Sequence, residues 1–262
     1  MRTVQIGAAT LGEGPAALIV PLTSPTPGAL LEEAARAAER APDIVEWRLD
    51  HLEPVCGESP LALAARIASL APQLRGALGS AGLLLTFRTA AEGGKRAIGD
   101  ADYAGLLVAL ARSGAGDAID VEAYRPRVIV ERIVAAAREA GCPVIASNHD
   151  FAATPPAEEI VRRLRFMQDE VGADVQKIAV MPRDAGDVLA LMAATWQMAS
   201  THARTPLITM SMGGPGLITR LGGEAYGSAA TFGAVGEASA PGQIDAGVLA
   251  GITGLIHEAL RT

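Results

Sequence analysis

The sequence predicts an α/β fold, specifically a (β/α)8 TIM barrel. Eight short apolar runs alternate with longer helical patterns along 262 residues, and such a barrel typically needs about 250. Strands separated by single helices pair in parallel through right-handed crossovers. The main alternative is an open doubly wound sheet. That fold usually shows a dinucleotide-binding fingerprint or a clear switch point, and neither is found in the sequence.

The predicted strands are short apolar runs bounded by turn residues. They are 16–22, 43–50, 82–88, 117–122, 143–149, 174–180, 206–210 and 228–232. The helical patterns between them are rich in Ala, Leu, Arg and Glu, and several open with Pro. The predicted helices are 27–40, 60–74, 102–113, 126–140, 157–170, 184–202 and 244–260, with a short element at 217–224. Residues 4–14 predict a small hairpin that caps one end of the barrel, and we expect one domain over residues 1–262.

Composition excludes several classes of partner. The formal net charge of −7 argues against a nucleic-acid or anionic-membrane surface, since either requires a basic face. The two cysteines, Cys56 and Cys142, form neither a disulfide framework nor a metal cluster and indicate a reduced, cytoplasmic protein. No signal peptide is recognised, and charges or turn residues interrupt every apolar stretch before it reaches membrane-spanning length.

Charged residues occur where a parallel barrel should be apolar. Glu46, Arg48 and Asp50 alternate within one predicted strand, so that they share one side of it. Three further strands end in polar residues or are followed by them; these residues are Arg88, Glu92, Asp120, Glu122 and His149. Because barrel active sites lie at the C-terminal ends of the strands, we expect these groups to converge on one mouth. The alternatives are a solvated antiparallel strand and isolated structural ion pairs.

Lysine usage points to a particular residue. The chain has 22 Lys and Arg residues, but only Lys95 and Lys177 are lysines, and Lys177 lies within an apolar strand. A desolvated amine can lose its proton and act as a nucleophile, which arginine cannot do. The alternative is a lysine paired with an acid such as Glu46 or Asp120. His149, the only histidine at a strand end, is the candidate for acid–base chemistry beside it.

These residues lie in motifs that resemble the type I 3-dehydroquinate dehydratases. Seven stretches match in order along almost the whole chain: DIVEWRLD (43–50), LLTFRTAAEGG (84–94), IDVE (119–122), IASNHDFAATP (145–155), DVQKIAVMP (174–182), MSMGGPGLITRLGG (210–223) and SAPGQI (239–244). The resemblance implies dehydration of 3-dehydroquinate to 3-dehydroshikimate in the shikimate pathway. It also implies a homodimer that uses neither metal nor cofactor.

The resemblance assigns roles position by position. Lys177 matches the lysine that forms the Schiff base, His149 the acid–base catalyst and Glu92 the carboxylate that supports it. Arg220 resembles the arginine that binds the substrate carboxylate. Five further residues resemble those that hold the ring hydroxyls and order the site in the family: Glu46, Arg48, Arg88, Ser239 and Gln243. The resemblance is imperfect at Thr219, where the family often has Ser, and at 213–216, where a Gly-Gly-Pro-Gly run replaces a loop that often carries an acid.

Three other functions fit parts of the pattern. A class I aldolase-like barrel that acts on a sugar phosphate would also use the lysine, and could bind phosphate at 213–216. A metal-dependent barrel could draw ligands from His149 and the acids, although no close pair of histidines anchors one. A catalytically dead barrel could serve as a binding protein.

The Gly- and Ala-rich segment 233–242 leads into Gln243 and is predicted to close over the site as a lid.

Overall fold

Eight parallel strands form the centre of the chain in the computed structural model, which describes residues 2–236 and 238–262. In chain order they are β3 (Ala17–Leu22), β4 (Ile44–Arg48), β5 (Gly82–Thr86), β6 (Ala118–Glu122), β7 (Val144–Asp150), β8 (Val175–Val180), β9 (Leu207–Ser211) and β10 (Ala230–Phe232). The strands follow one another around the sheet, and β10 pairs with β3. A parallel bridge between Leu207 and Ser228 joins the last two edges. The predicted (β/α)8 barrel is therefore confirmed.

The first two strands form the predicted hairpin, which covers the N-terminal end of the barrel. β1 (Val4–Ile6) pairs antiparallel with β2 (Ala9–Leu11). Val4, Ile6 and Leu11 are buried in the same interior cluster as residues of the barrel strands, including Ile44 and Leu84. The hairpin thus fills one end of the barrel with apolar side chains, and the polar chemistry is confined to the other end.

In the described residues, eight α-helices connect or follow the strands. They are α1 (Pro27–Ala38), α2 (Pro60–Leu78), α3 (Asp100–Ser113), α4 (Arg127–Glu139), α5 (Ala157–Asp169), α6 (Ala185–Gln197), α7 (Leu217–Leu221) and α8 (Ala246–Leu260). Pro27 and Pro60 stand in the first turns of their helices, behind the capping hydroxyls of Thr26 and Ser59. Among the described residues, no helix is both long and apolar enough to cross a membrane.

Element boundaries differ from the predictions where tertiary contacts decide them. α2 continues through Pro72 to Leu78, because Ala71, Leu74 and Leu78 pack into the core on both sides of the proline. β4 ends at Arg48, and Asp50 lies in a 3-10 turn rather than in the strand as predicted. β5 ends at Thr86, so that Arg88 follows the strand. Local sequence pattern does not report such contacts.

The contact between the hairpin and β5 leaves no room for a side chain. A Cβ built on Gly82 would lie 2.3 Å from the Ile6 carbonyl oxygen. We expect Gly82→Ala to lower the free energy of unfolding by about 1–3 kcal/mol, because the hairpin must shift. Gly76→Ala is the matched control, since nothing lies within 4 Å of its Cβ and its place in α2 favours alanine. Urea denaturation measures both variants; equal stability of the two would contradict the packing described.

Candidate active site

A cavity opens at the C-terminal ends of the barrel strands. All nine side chains predicted from the sequence line it: Glu46, Arg48, Arg88, Glu92, His149, Lys177, Arg220, Ser239 and Gln243. They come from β4, β7, β8 and α7, from the segment after β5, and from the segment after β10. The fold therefore brings together residues that lie up to about 200 positions apart in the chain.

Lys177 lies on β8 inside the barrel, with only 3% of its surface exposed. Its Nζ lies 3.2 Å from Glu46 Oε1 and 3.4 Å from Asp120 Oδ2, and 4.5 Å from the centre of the Phe232 ring. The sequence presented a nucleophilic amine and an ion-paired lysine as alternatives, whereas the structure contains the ion pairs inside the candidate site. The two carboxylates stabilise an ammonium at rest, and each is close enough to accept its proton.

His149 lies at the end of β7 and contacts Glu92 twice. Its Nδ1 is 3.0 Å from Glu92 Oε2, and its backbone N–H donates to the same oxygen at 3.0 Å. A proton on Nδ1 suits this pairing and leaves Nε2 as the acceptor. Burial and the positive charges of Arg88, Lys177 and Arg48 hold the pKa of His149 well below its ordinary value. The ring is therefore neutral near pH 7 and can accept a proton.

The guanidinium of Arg88 binds the acids of the site together. It donates to Asp120 at 2.8 Å, to Glu122 at 3.1 Å and to Glu92 at 3.3 Å. Burial acts to raise the pKa of Asp120, but the charges of Arg88 and Lys177 and the hydrogen bonds from Ser147 and Arg88 outweigh it, so that the pKa lies below its ordinary value. For Glu92 burial prevails over Arg88 and, with the charges of Glu122 and Asp120, raises the pKa to about 7. One arginine thus leaves two neighbouring acids with different proton affinities.

Arg220 is the cavity arginine without a counter-ion among the described residues. It lies on α7 and is 1% exposed. Its Nη atoms contact Met210 Sδ at 3.5 Å and the Pro241 carbonyl oxygen at 3.2 Å, and its Nε has no partner in the described structure. Burial lowers its pKa to about 10, so that it remains charged near neutrality. A buried guanidinium with free donors is suited to bind an anionic group of a ligand.

The segment predicted as a lid lies against the cavity. Ser239 donates from its N–H and its hydroxyl to Gln243 Oε1, at 2.9 and 3.1 Å. The Pro241 carbonyl accepts the Gly213 N–H at 3.1 Å, next to its contact with Arg220. The segment therefore joins the Gly-Gly-Pro-Gly run to the anion site. Glu237, inside the predicted lid, lies outside the described residues.

Thr219 departs from the family pattern without disturbing its surroundings. Its hydroxyl donates to the Gly216 carbonyl at 2.7 Å and accepts the Ser211 N–H at 2.9 Å. A serine hydroxyl has the same donor and acceptor capacity, so the substitution preserves the turn that presents Arg220.

Sequence reasoning missed the apolar walls of the cavity. They include Phe151, Met210, Met212 and Phe232. Methionine and phenylalanine at strand ends look like ordinary core residues, and their position at the mouth was the only available signal. In the described part of the chain, no three His, Cys, Asp or Glu side chains are placed to hold one metal ion.

One cavity of this (β/α)8 barrel contains a lysine amine, an imidazole–carboxylate pair and a free guanidinium. This set of groups defines an enzyme suited to imine chemistry on a ketone that carries a carboxylate. The sequence profile described as Type I 3-dehydroquinase matches residues 18–259. The chain belongs to this family.

Individual relatives agree with the family profile over nearly the full length. A 3-dehydroquinate dehydratase of Bacillus licheniformis is 46% identical over 259 residues, which cover 99% of each chain. The crystal structure of the type I enzyme of Clostridium difficile with covalently modified comenic acid has a TM-score of 0.91 at 40% identity, covering 98% of this chain and 99% of that one. The enzyme of Enterococcus faecalis gives 0.85 at 38% identity, over 96% and 98% of the two chains.

The contrast between paired and unpaired arginines predicts opposite effects on stability. Arg220→Met removes a buried charge that has no counter-ion in the described structure, so we expect the free energy of unfolding to stay unchanged or rise by about 1–2 kcal/mol. Arg88→Met leaves buried carboxylates unpaired and should lower it by about 3–5 kcal/mol. Urea denaturation of both variants without ligand checks this, and a large loss of stability in Arg220→Met would contradict the description of its site.

Proposed function

We propose that this cavity dehydrates 3-dehydroquinate through an imine on Lys177, with His149 as the proton carrier and Arg220 as the carboxylate-binding residue. The overall reaction follows from membership of the family: the chain is a hydro-lyase that forms 3-dehydroshikimate in the shikimate pathway. The observation that carries the residue assignment is the enclosure of Lys177, the His149–Glu92 pair and the unpaired Arg220 in one cavity.

The amine must lose a proton before it attacks the substrate ketone. Asp120 is already bound by Arg88 at 2.8 Å and by Ser147 at 2.6 Å. Glu46 accepts one other side-chain hydrogen bond in the described structure, from Thr86 at 3.0 Å. Because Glu46 has fewer competing donors and lines the cavity, we assign it as the group that receives the Lys177 proton.

The attack forms a carbon–nitrogen bond, and loss of the ketone oxygen as water gives the iminium. The cationic nitrogen draws electrons from the adjacent carbon, whose proton passes to Nε2 of His149. The resulting enamine expels the neighbouring hydroxyl, which takes a proton from His149 and leaves as the second water. Water then hydrolyses the product iminium and frees Lys177, so that the net change is the loss of one water molecule.

The charges of the cavity favour a monocarboxylate over a sugar phosphate. Arg48 pairs with Asp50, and Arg88 and Lys177 pair with the acids around them. This leaves Arg220 as the one cavity cation without an anion among the described residues. A planar guanidinium can bind one carboxylate through two parallel hydrogen bonds and so fix the ring for proton removal. Ser239 and Gln243 lie at the same cavity and are assigned to the ring hydroxyls.

Removal of the amine tests the proposal. We expect Lys177→Met to lower kcat for 3-dehydroquinate by at least about 10⁴-fold, because the covalent route is lost. The other lysine offers a matched control: Lys95 is exposed, and Lys95→Met should retain the parental kcat. The absorbance of the enone product follows both reactions. A Lys177→Met enzyme as fast as the parent would refute the proposed mechanism.

We further propose a single-domain protein that acts as a homodimer in the cytoplasm. The free thiols of Cys56 and Cys142 suit a reducing compartment. Of the eleven exposed large apolar side chains in the described chain, six lie on the last three helices: Leu189, Trp196, Ile218, Val248, Leu255 and Leu260. Exposed apolar residues concentrated on neighbouring elements are typical of a protein–protein interface, and a second copy of the chain is the partner that the family implies.

The dimer proposal predicts a mass in solution of twice 26.8 kDa. We expect Leu255→Glu, on α8, to convert the dimer to a monomer, because the charge would be buried at the interface. Val128→Glu, at an equally exposed apolar position on α4, should leave the dimer intact. Sedimentation velocity measures both variants, and a monomeric parent would rule out the proposed assembly.

A further inference from the structure

Asp50 has no assigned role, although it is among the most completely bonded acids of the structure. Its carboxylate is 1% exposed and lies in the 3-10 turn after β4. One oxygen accepts from Arg48 Nε at 2.9 Å and from the Arg88 backbone N–H at 3.2 Å. The other accepts from Arg48 Nη2 at 2.8 Å and from the Lys95 backbone N–H at 3.0 Å. One buried carboxylate therefore joins Arg48 to both ends of the segment that carries Glu92.

The pairing fixes which edge of the Arg48 guanidinium remains free to donate. Asp50 takes the Nε and Nη2 side, and Nη1 has no hydrogen-bond partner among the described residues. The Arg48 side chain lines the cavity, and Nη1 is the guanidinium nitrogen left free to donate to a ligand there. A free arginine side chain samples many rotamers, whereas two parallel hydrogen bonds to a buried acid hold it in one.

The backbone of the opposite segment is equally constrained around Asp50. A Cβ on Gly94 would lie 2.0 Å from the Arg88 carbonyl oxygen and 3.0 Å from Asp50 Oδ2. Arg96 also donates to the Asp50 and Leu49 carbonyl oxygens, at 3.1 and 2.9 Å. The carboxylate thus lies in a closed shell of donors, and no water or ligand is needed to explain its burial.

We infer that Asp50 is a positioning residue for substrate binding: it presents the free edge of Arg48 to a hydroxyl of the substrate ring. This inference rests on the proposed function, because it assigns Arg48 to the substrate. Asp50 itself does not touch the cavity and acts through the arginine.

The test is a double-mutant cycle in the full-length enzyme with 3-dehydroquinate. We expect Asp50→Asn to raise KM by about 10- to 100-fold with a smaller loss in kcat, because the amide turns a donor toward Arg48 and releases it. Arg48→Met should raise KM by a similar factor. The double variant should be no worse than Arg48→Met alone, since Asp50 acts through that residue.

Multiplied KM effects in the double variant would overturn the inference while leaving the proposed function intact. A loss confined to kcat, with an altered pH profile, would overturn it too, because it would show that Asp50 acts through the Glu92 segment. Should Asp50→Asn fail to fold, Arg48→Lys decides, since lysine keeps the charge but cannot form the paired hydrogen bonds. The inference requires a raised KM in that variant, and a parental KM refutes it. A parent enzyme that does not turn over 3-dehydroquinate would refute the proposed function itself.

Discussion

A charged amine in the middle of a barrel needs anions beside it, and Lys177 has two within 3.4 Å. Asp120 is buried near two further acids, and these carboxylates would resist burial without the cation of Arg88, which binds Asp120, Glu122 and Glu92. The amine, its proton acceptors and the carboxylate that supports His149 therefore belong to one connected cluster of charges. Breaking the cluster at any point changes the proton affinity of the others.

The cluster divides the cavity into two electrostatic regions. Around Lys177 every cation is compensated, so that a neutral ketone and ring hydroxyls can enter without meeting an excess of charge. Arg220, on α7, stands apart with free donors and in contact with the segment after β10. A ligand with one carboxylate and one carbonyl can satisfy both regions in a single orientation. In the proposed mechanism, this orientation would bring the acidic C–H to His149 rather than to another face of the ring.

The sequence was sufficient to predict the barrel, the hairpin and the nine cavity side chains, because strand alternation and motif order are local properties. It left open whether Lys177 was paired, since the approach of Glu46 and Asp120 depends on how the strands close. Asp50 was predicted to share a strand face with Glu46, and its true position in a turn follows from its bonds to the Arg88 and Lys95 amides. The walls formed by Met210, Met212 and Phe232 were missed, because apolar residues give no sign of facing a cavity rather than a core.

The proposed mechanism requires that Lys177 form a covalent imine with the substrate. Borohydride reduces an iminium to a stable secondary amine, so treatment of the enzyme during turnover of 3-dehydroquinate should fix the intermediate. We expect a substrate-derived adduct on the peptide that contains Lys177, with none on the peptide that contains Lys95, when the protein is digested and analysed by mass spectrometry. Sustained turnover with no adduct at Lys177 under reducing conditions would contradict it.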